Sequence, residues 1–293
     1  MSGKICMVTG ATSGIGEVTA RTLAQMGATV IVVGRSPERG AATVERIKAA
    51  TGNPSVEFML ADLSAQGQIR QLTQQFKSKH RPLDVLVNNA GGIFVRHRQS
   101  ADGVEMTFAL NHLGYFLLTS LLLDMLKASA PARIVNVASR AHQRVPGINF
   151  DDLQSRRGYN PMRAYGQSKL ANLLFTYELA RRLEGTGVTV NALHPGVVAT
   201  DFWMAGFDGG WLAPLVRRLA RLVAISPEEG AQTVIYLAAS PAVEGVTGRY
   251  YVEEKESRSS AASHDREAAQ RLWQMSEAMT ASGQRFHPAA HLG

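Results

Sequence analysis

Hydrophobic positions along the chain fall in short continuous blocks, separated by longer stretches in which they recur at helical spacing. Lys4-Ile-Cys-Met-Val-Thr9 is the first block, and Gly10-Ala-Thr-Ser-Gly14-Ile-Gly16 leads from it into a helical pattern that runs to Met26. Residues 29–33 and 56–60 repeat the arrangement. Each is followed by a helix start, the first at Ser36-Pro37-Glu38 and the second at Asp62-Leu63-Ser64, whose helix runs to 79. Further strands are expected over 84–87, 133–137, 188–193 and 248–252. Helices are expected over 103–127, capped by Asp102, from Asn160-Pro161 onward, and over 227–239. Residues 253–263 read as a linker, and 263–280 as a terminal amphipathic helix that docks through Leu272, Met275 and Met279. Strands buried on both faces and alternating with helices specify a parallel sheet covered on both sides. The expected fold is therefore α/β, a single domain over residues 1–293 with a doubly wound parallel sheet of about seven strands.

The turn between the first strand and helix carries the first candidate chemistry. Gly10, Gly14 and Gly16 permit a tight turn, so that the backbone from Thr12 and Ser13 to Ile15 and the positive helix end can face a phosphate. That is the phosphate cradle of a Rossmann-type dinucleotide site. About 20 residues further on, an acid would bind the ribose of NAD; this chain has Gly34-Arg35 there instead. A guanidinium at Arg35 suits a 2′-phosphate, which points to NADP(H). Asn88-Asn89-Ala90-Gly91-Gly92 forms a loop at a strand's C-terminal end, where open α/β sheets bind ligands. Tyr165 and Lys169 are four apart on a helix and leave one face together. An ammonium beside a phenol favours the phenolate and suits the pair to proton transfer.

These residues resemble the short-chain dehydrogenase/reductase family over nearly the whole chain. The matching motifs are Thr9-Gly-Ala-Thr-Ser-Gly-Ile-Gly16, Asp62-Leu63, Asn88-Asn-Ala-Gly91, Asn111, Ser139, Tyr165-x-x-x-Lys169 and Pro195-Gly196. Asn111-His-Leu-Gly-Tyr-Phe, Phe150-Asp-Asp-Leu153 and Val190-Asn-Ala-Leu-His-Pro-Gly196 narrow the likeness to the retinol dehydrogenase-like branch. The resemblance implies a catalytic tetrad of Asn111, Ser139, Tyr165 and Lys169. Tyr165 would protonate the substrate oxygen and Ser139 would hydrogen-bond it. Lys169 would lower the tyrosine pKa and hold the nicotinamide ribose, and Asn111 would keep a relay water in place. Asp62, with Leu63, would meet the adenine, while Asn88, Ala90 and Gly91 would line the adenosine side. Pro195, Gly196, Val198 and Thr200 would hold the nicotinamide end. The resemblance also implies assembly as a homodimer or homotetramer through the helices holding Asn111 and Tyr165. Gly166, inside the catalytic helix, is a departure and should cost about 1 kcal/mol relative to Ala unless close packing needs it.

Composition narrows the picture further. The formal charge of +7 comes from dispersed basic residues, with no zinc-finger spacing and no aromatic–basic stripe, which argues against a nucleic-acid partner. Cys6 is the single cysteine, so no internal disulfide forms. No metal cluster, signal peptide or apolar run of spanning length is expected, which reads as a cytoplasmic protein without a transmembrane anchor. The expected activity is NADP(H)-dependent interconversion of a carbonyl and an alcohol on a small apolar substrate. A catalytically inert redox-sensing protein, a lyase or epimerase using the same Tyr/Lys pair, and a membrane-surface retinoid or lipid-aldehyde reductase are the alternatives. Residues 200–226 read as a substrate lid. The basic amphipathic helix over 212–225 could instead lie on an anionic membrane or simply pack on the surface.

Overall fold

The valine- and isoleucine-rich blocks form strands in a computed structural model that describes residues 1–196 and 225–281. They are β1 (Ile5–Thr9), β2 (Thr29–Gly34), β3 (Val56–Leu60), β4 (Val85–Asn88), β5 (Ala132–Val137), β6 (Val188–Leu193) and β7 (Tyr250–Val252). All seven are parallel, in the order β3-β2-β1-β4-β5-β6-β7. A two-residue strand, β8 (Lys255–Glu256), pairs antiparallel at the β7 edge. The expected linker therefore holds an eighth strand. Its turn uses Glu253 and Glu254 at φ of 50° and 62°, a left-handed pair suited to a two-residue hairpin but rare for glutamate. The strand order reverses between β1 and β4, which opens a crevice at their C-terminal ends.

Helices α1 (Gly14–Gln25), α2 (Pro37–Thr51), α3 (Gln66–Lys79), α4 (Met106–Ala128), α5 (Pro161–Arg182), α6 (Pro227–Ala239) and α7 (Arg266–Thr280) cover the sheet. Two large apolar clusters flank the strands. Val8, Val32 and Val87 point to one side with α1 and α6, and Met7, Ile31 and Leu86 to the other with α3 and α4. The N-caps follow the sequence at Ser36 and Asn160, whose side chains accept from Arg39 and Arg163 N–H.

Asp102 behaves differently from expectation. It accepts from Gln66 N–H at 2.9 Å and so caps α3, while Glu105 caps α4 by accepting from Thr107 and Phe108 N–H. The left-handed φ of 77° at Gly103 keeps 103–105 out of the helix.

α4 is also long and apolar enough to cross a membrane, with a mean hydropathy of 1.4 over its best window. Scattered polar residues such as Asn111, Thr119 and Asp124 break its apolar run in the sequence, whereas hydropathy averages over them. The helix belongs to the core, because 72% of that window is buried inside the molecule.

One turn of α4, Ala109–Leu113, is π-helical, and Gly114 N–H donates five residues back to Ala109 O. Gly114 itself allows close contact with the loop after β3: a Cβ there would lie 2.7 Å from Leu63 O.

The C-terminal helix α7 docks as its pattern predicts. Leu272 and Met279 are buried, with Met275 beside them, against Leu170, Ala171 and Leu174 of α5. Trp273 stacks on Phe175 and meets Phe116 edge-to-face, and Ser276 meets the buried His112 ring at 2.9 Å. α7 thus covers part of α5, one of the two helices to which the family resemblance assigns subunit pairing.

Candidate active site

The crevice at the strand reversal is a cleft of about 740 Å³. At its floor, the Gly10–Gly16 turn is held to β4 by a clasp of polar groups. The buried Thr9 hydroxyl donates to Val87 O at 3.1 Å and accepts from Asn89 N–H at 2.9 Å and Ala90 N–H at 3.1 Å. The Asn89 amide donates back to Thr9 O at 2.9 Å and Gly10 O at 3.3 Å. The glycines here are required by space as well as by conformation. Gly10 has φ of 64° and Gly14 of 57°, while a Cβ on Gly16 would lie 2.4 Å from Gly10 O. Ser13, the N-cap of α1, makes no side-chain cap bond, so the first amides of that helix are left for a ligand.

At one end of the cleft β2 finishes at Gly34, with Arg35, Ser36 and Arg39 on the rim. A Cβ on Gly34 would lie 2.6 Å from Thr12 Cγ2, so an acidic side chain has no room at that position while Thr12 stays put. Asp62, Leu63 and Ala61 face them across the opening. Asp62 accepts from Ser64 N–H and its hydroxyl, at 2.9 and 2.7 Å, which closes the turn after β3.

At the other end lie Ser139, at the C-terminal end of β5, and Tyr165 and Lys169 on α5. Gly166 brings α5 against the 3₁₀ turn Arg140–Arg144 that follows Ser139. A Cβ there would lie 2.9 Å from Ala141 O and 3.0 Å from Val145 Cγ1, so close packing does require this glycine. Ile93, Ala141 and Met162 pack around the Tyr165 ring. Burial pushes the Tyr165 phenol well above its ordinary value, opposed in part by its hydrogen bond with Ser139. Burial also lowers Lys169 to about 7. Lys169 Nζ donates to Val137 O at 2.8 Å and stands 5.7 Å from the Tyr165 ring centre. Helical spacing does bring the two residues together. In this structure, however, burial outweighs any pull of the ammonium on the phenol.

Other expected residues are placed less directly. Asn111 stands behind the cleft wall, with Nδ2 donating to Gly92 O at 3.0 Å and Ser168 Oγ at 2.9 Å, and Oδ1 accepting from Gly92 N–H at 2.8 Å. Its amide therefore fixes the 91–92 loop to α5. Asn88 is buried below the cleft, where its amide donates to Thr119 Oγ1 and Asn136 Oδ1. Its neighbour Asn89 lines the cleft instead. Ala90, Gly91, Pro195 and Gly196 also line it. Val198, Thr200, and the 200–226 lid and 212–225 helix up to residue 224 lie outside the described residues, while Ser226 serves as the N-cap of α6.

The short chain dehydrogenase model matches residues 4–209. The chain belongs to that family. Human polyprenol dehydrogenase is 46% identical to this short-chain dehydrogenase over 284 residues, covering 94% of this chain and 85% of that protein. Human retinol dehydrogenase 14 is 42% identical over 292 residues, with 95% and 87% covered. These relatives place the chain in the retinol dehydrogenase-like branch. Among solved structures, a Mycobacterium paratuberculosis protein superposes with TM-score 0.76 at 34% identity, covering 95% of this chain and 94% of that one. The NADP complex of Pseudomonas aeruginosa RhlG superposes with TM-score 0.68 at 29% identity, covering 85% and 94%. The chain is thus an oxidoreductase of carbonyl and alcohol groups that uses a nicotinamide dinucleotide.

Sequence reasoning did not single out Thr9, Asn89 or Arg39 as site residues. Arg39 had a signal, since it lies one helical turn beyond Arg35. Nothing in the sequence marks Thr9 as a bridging hydroxyl.

Proposed function

We propose that this short-chain dehydrogenase is an NADP(H)-dependent enzyme that interconverts an apolar aldehyde or ketone with its alcohol, using Tyr165 as general acid and base. The observation that carries the reading is the convergence of Ser139, Tyr165 and Lys169 at the opposite end of the cleft from Arg35 and Arg39. The residues present fit the cofactor. The glycine cradle and open α1 amides would take the pyrophosphate, and Arg35 and Arg39 a 2′-phosphate. Asp62 would meet the adenine, and Lys169 the nicotinamide ribose. The reduced nicotinamide supplies a hydride when bound. Ser139 donates a hydrogen bond to the substrate oxygen, and Tyr165 hands that oxygen its proton. Lys169, lowered to about 7, exchanges a proton in the neutral range, and in its charged form stabilises the phenolate left on Tyr165. Asn111 acts through Ser168 and Gly92 to hold this end of the cleft in register. The alcohols named in the relatives, retinol and polyprenol, are long apolar chains ending in a hydroxyl, which supports an apolar substrate.

The test is NADPH consumption with a panel of medium- and long-chain aldehydes and ketones, compared with NADH. Turnover with NADPH that Tyr165→Phe removes would support the assignment. A panel that leaves NADPH untouched, or a Tyr165→Phe variant as active as the parent, would overturn it.

A further inference from the structure

Beyond Ser139 and Tyr165 the cleft carries charge that an apolar substrate does not explain. Arg98 comes from the loop after β4, while Arg140 and Arg144 sit one turn apart on the 3₁₀ turn that follows Ser139. All three line the cleft and are exposed. They share that end with Phe94, Met106 and Met162, so cationic and apolar surfaces meet at one opening. The cofactor's phosphates have their own partners, in the glycine cradle and at Arg35 and Arg39. Among the described residues, none of the three arginines forms an ion pair. Among the described residues, the one carboxylate lining the cleft is Asp62, at the adenine end. The field of Arg140 is felt nearby: His194 is lowered to about 4, first by burial and then by that guanidinium.

Resting on the carbonyl-reductase reading above, we propose that the substrate is an amphiphile. It carries an aldehyde or ketone at one end of an apolar chain and an anionic group, carboxylate or phosphate, at the other. The carbonyl reaches Ser139 and Tyr165, the chain lies on Met106, Met162 and Phe94, and the anion stays at the wet rim among Arg98, Arg140 and Arg144. Guanidinium groups suit either anion, because their paired N–H donors match two oxygens at once. Exposed pairs of this kind are individually weak and screened by salt, so the selectivity rests on three of them acting together.

The experiment compares a straight-chain ω-oxo carboxylic acid, its methyl ester and the corresponding ω-oxoalkyl phosphate as substrates with NADPH. The expected result is a kcat/KM for the acid or the phosphate about tenfold above that of the ester, carried in KM. That ratio should fall toward one as salt is raised from low to several hundred millimolar. Arg144→Gln and Arg98→Gln, on separate loops, should each lower the charged-to-ester ratio severalfold. The better of the two charged substrates identifies the anion. Equal use of ester and charged substrates, or a preference for the ester, overturns the proposal while leaving carbonyl reduction intact. An enzyme that leaves NADPH untouched with all three substrates overturns both.

Discussion

Thr9→Val isolates the clasp between the glycine turn and β4. The two side chains are nearly isosteric, so the change removes a hydroxyl and little else. That hydroxyl donates to Val87 O and accepts from the Asn89 and Ala90 amides at 2.9 and 3.1 Å, and Thr9 is fully buried. Losing three bonds at about 1 kcal/mol each, with two amides left without an acceptor, should destabilise the fold by about 3 kcal/mol. In a chain of this size that lowers Tm by about 6–12 °C. Thr9→Ser keeps every hydrogen bond and loses one methyl, so it should cost only about 1 kcal/mol. Because the Asn89 amide is held against Gly10 by the same clasp, the Val variant should also bind NADPH about tenfold more weakly. Urea unfolding and thermal melts, each with and without NADPH, measure both effects. If Thr9→Val is as stable as the parent, or more stable than Thr9→Ser, the bridging hydroxyl is not what holds the turn.

Tyr165→Phe should keep the fold and NADPH affinity while lowering kcat by about 10²–10⁴, the usual contribution of a positioned acid; steady-state kinetics with NADPH decide this. Replacing Arg35 and Arg39 together with Ala should raise KM for NADPH at least tenfold and leave NADH nearly unaffected, with the NADPH/NADH ratio of kcat/KM as readout. An unchanged ratio would remove these arginines from cofactor choice. Gly166→Ala should lower both stability and kcat, because its methyl meets Ala141 O at 2.9 Å. Normal activity there would show that the turn after Ser139 has room to move. Burial lowers His112 to about 3 and Lys169 to about 7, from ordinary values of 6.5 and 10.5. The unfolded chain therefore holds more protons than the folded one in each interval. Stability without cofactor should rise with pH from about 3 to 6.5 and again from about 7 to 9, above which the Cys6 thiol, pushed by burial from 9.0 to about 12, opposes the rise. Urea midpoints across pH test this, and a flat or falling profile in both windows would contradict it.

Much of this was legible in the sequence, because the central strand blocks β1, β2 and β4 are buried on both faces and read as continuous apolar runs. Glycine spacing and the four-residue step from Tyr165 to Lys169 announced the floor and one end of the cleft. What escaped was long-range. Asp102 looks like a cap for the helix after it, but Gly103 turns the chain so that it caps α3 instead. Asn88 and Asn89 are identical in type, and only the strand register decides which one is buried and which reaches the cleft. The pKa of Tyr165 depends on how deeply α5 is packed, and no local spacing encodes that. β8 was hidden because two charged residues form it at an edge, with no apolar alternation to mark it.

The docking of α7 leaves one flank of α5 dependent on a segment that is made much later in translation. α5 carries Tyr165 and Lys169 toward the cleft, and Leu170, Ala171 and Leu174 toward Leu272 and Met279. Gln66, far earlier in the chain, donates to Met279 O at 2.8 Å. While synthesis is unfinished, every residue of the cleft described here can already exist on the ribosome with that apolar flank of α5 bare. A message truncated ahead of Arg266 would therefore yield a chain holding every described residue of the cleft and an unprotected greasy face, a target for chaperones and proteases.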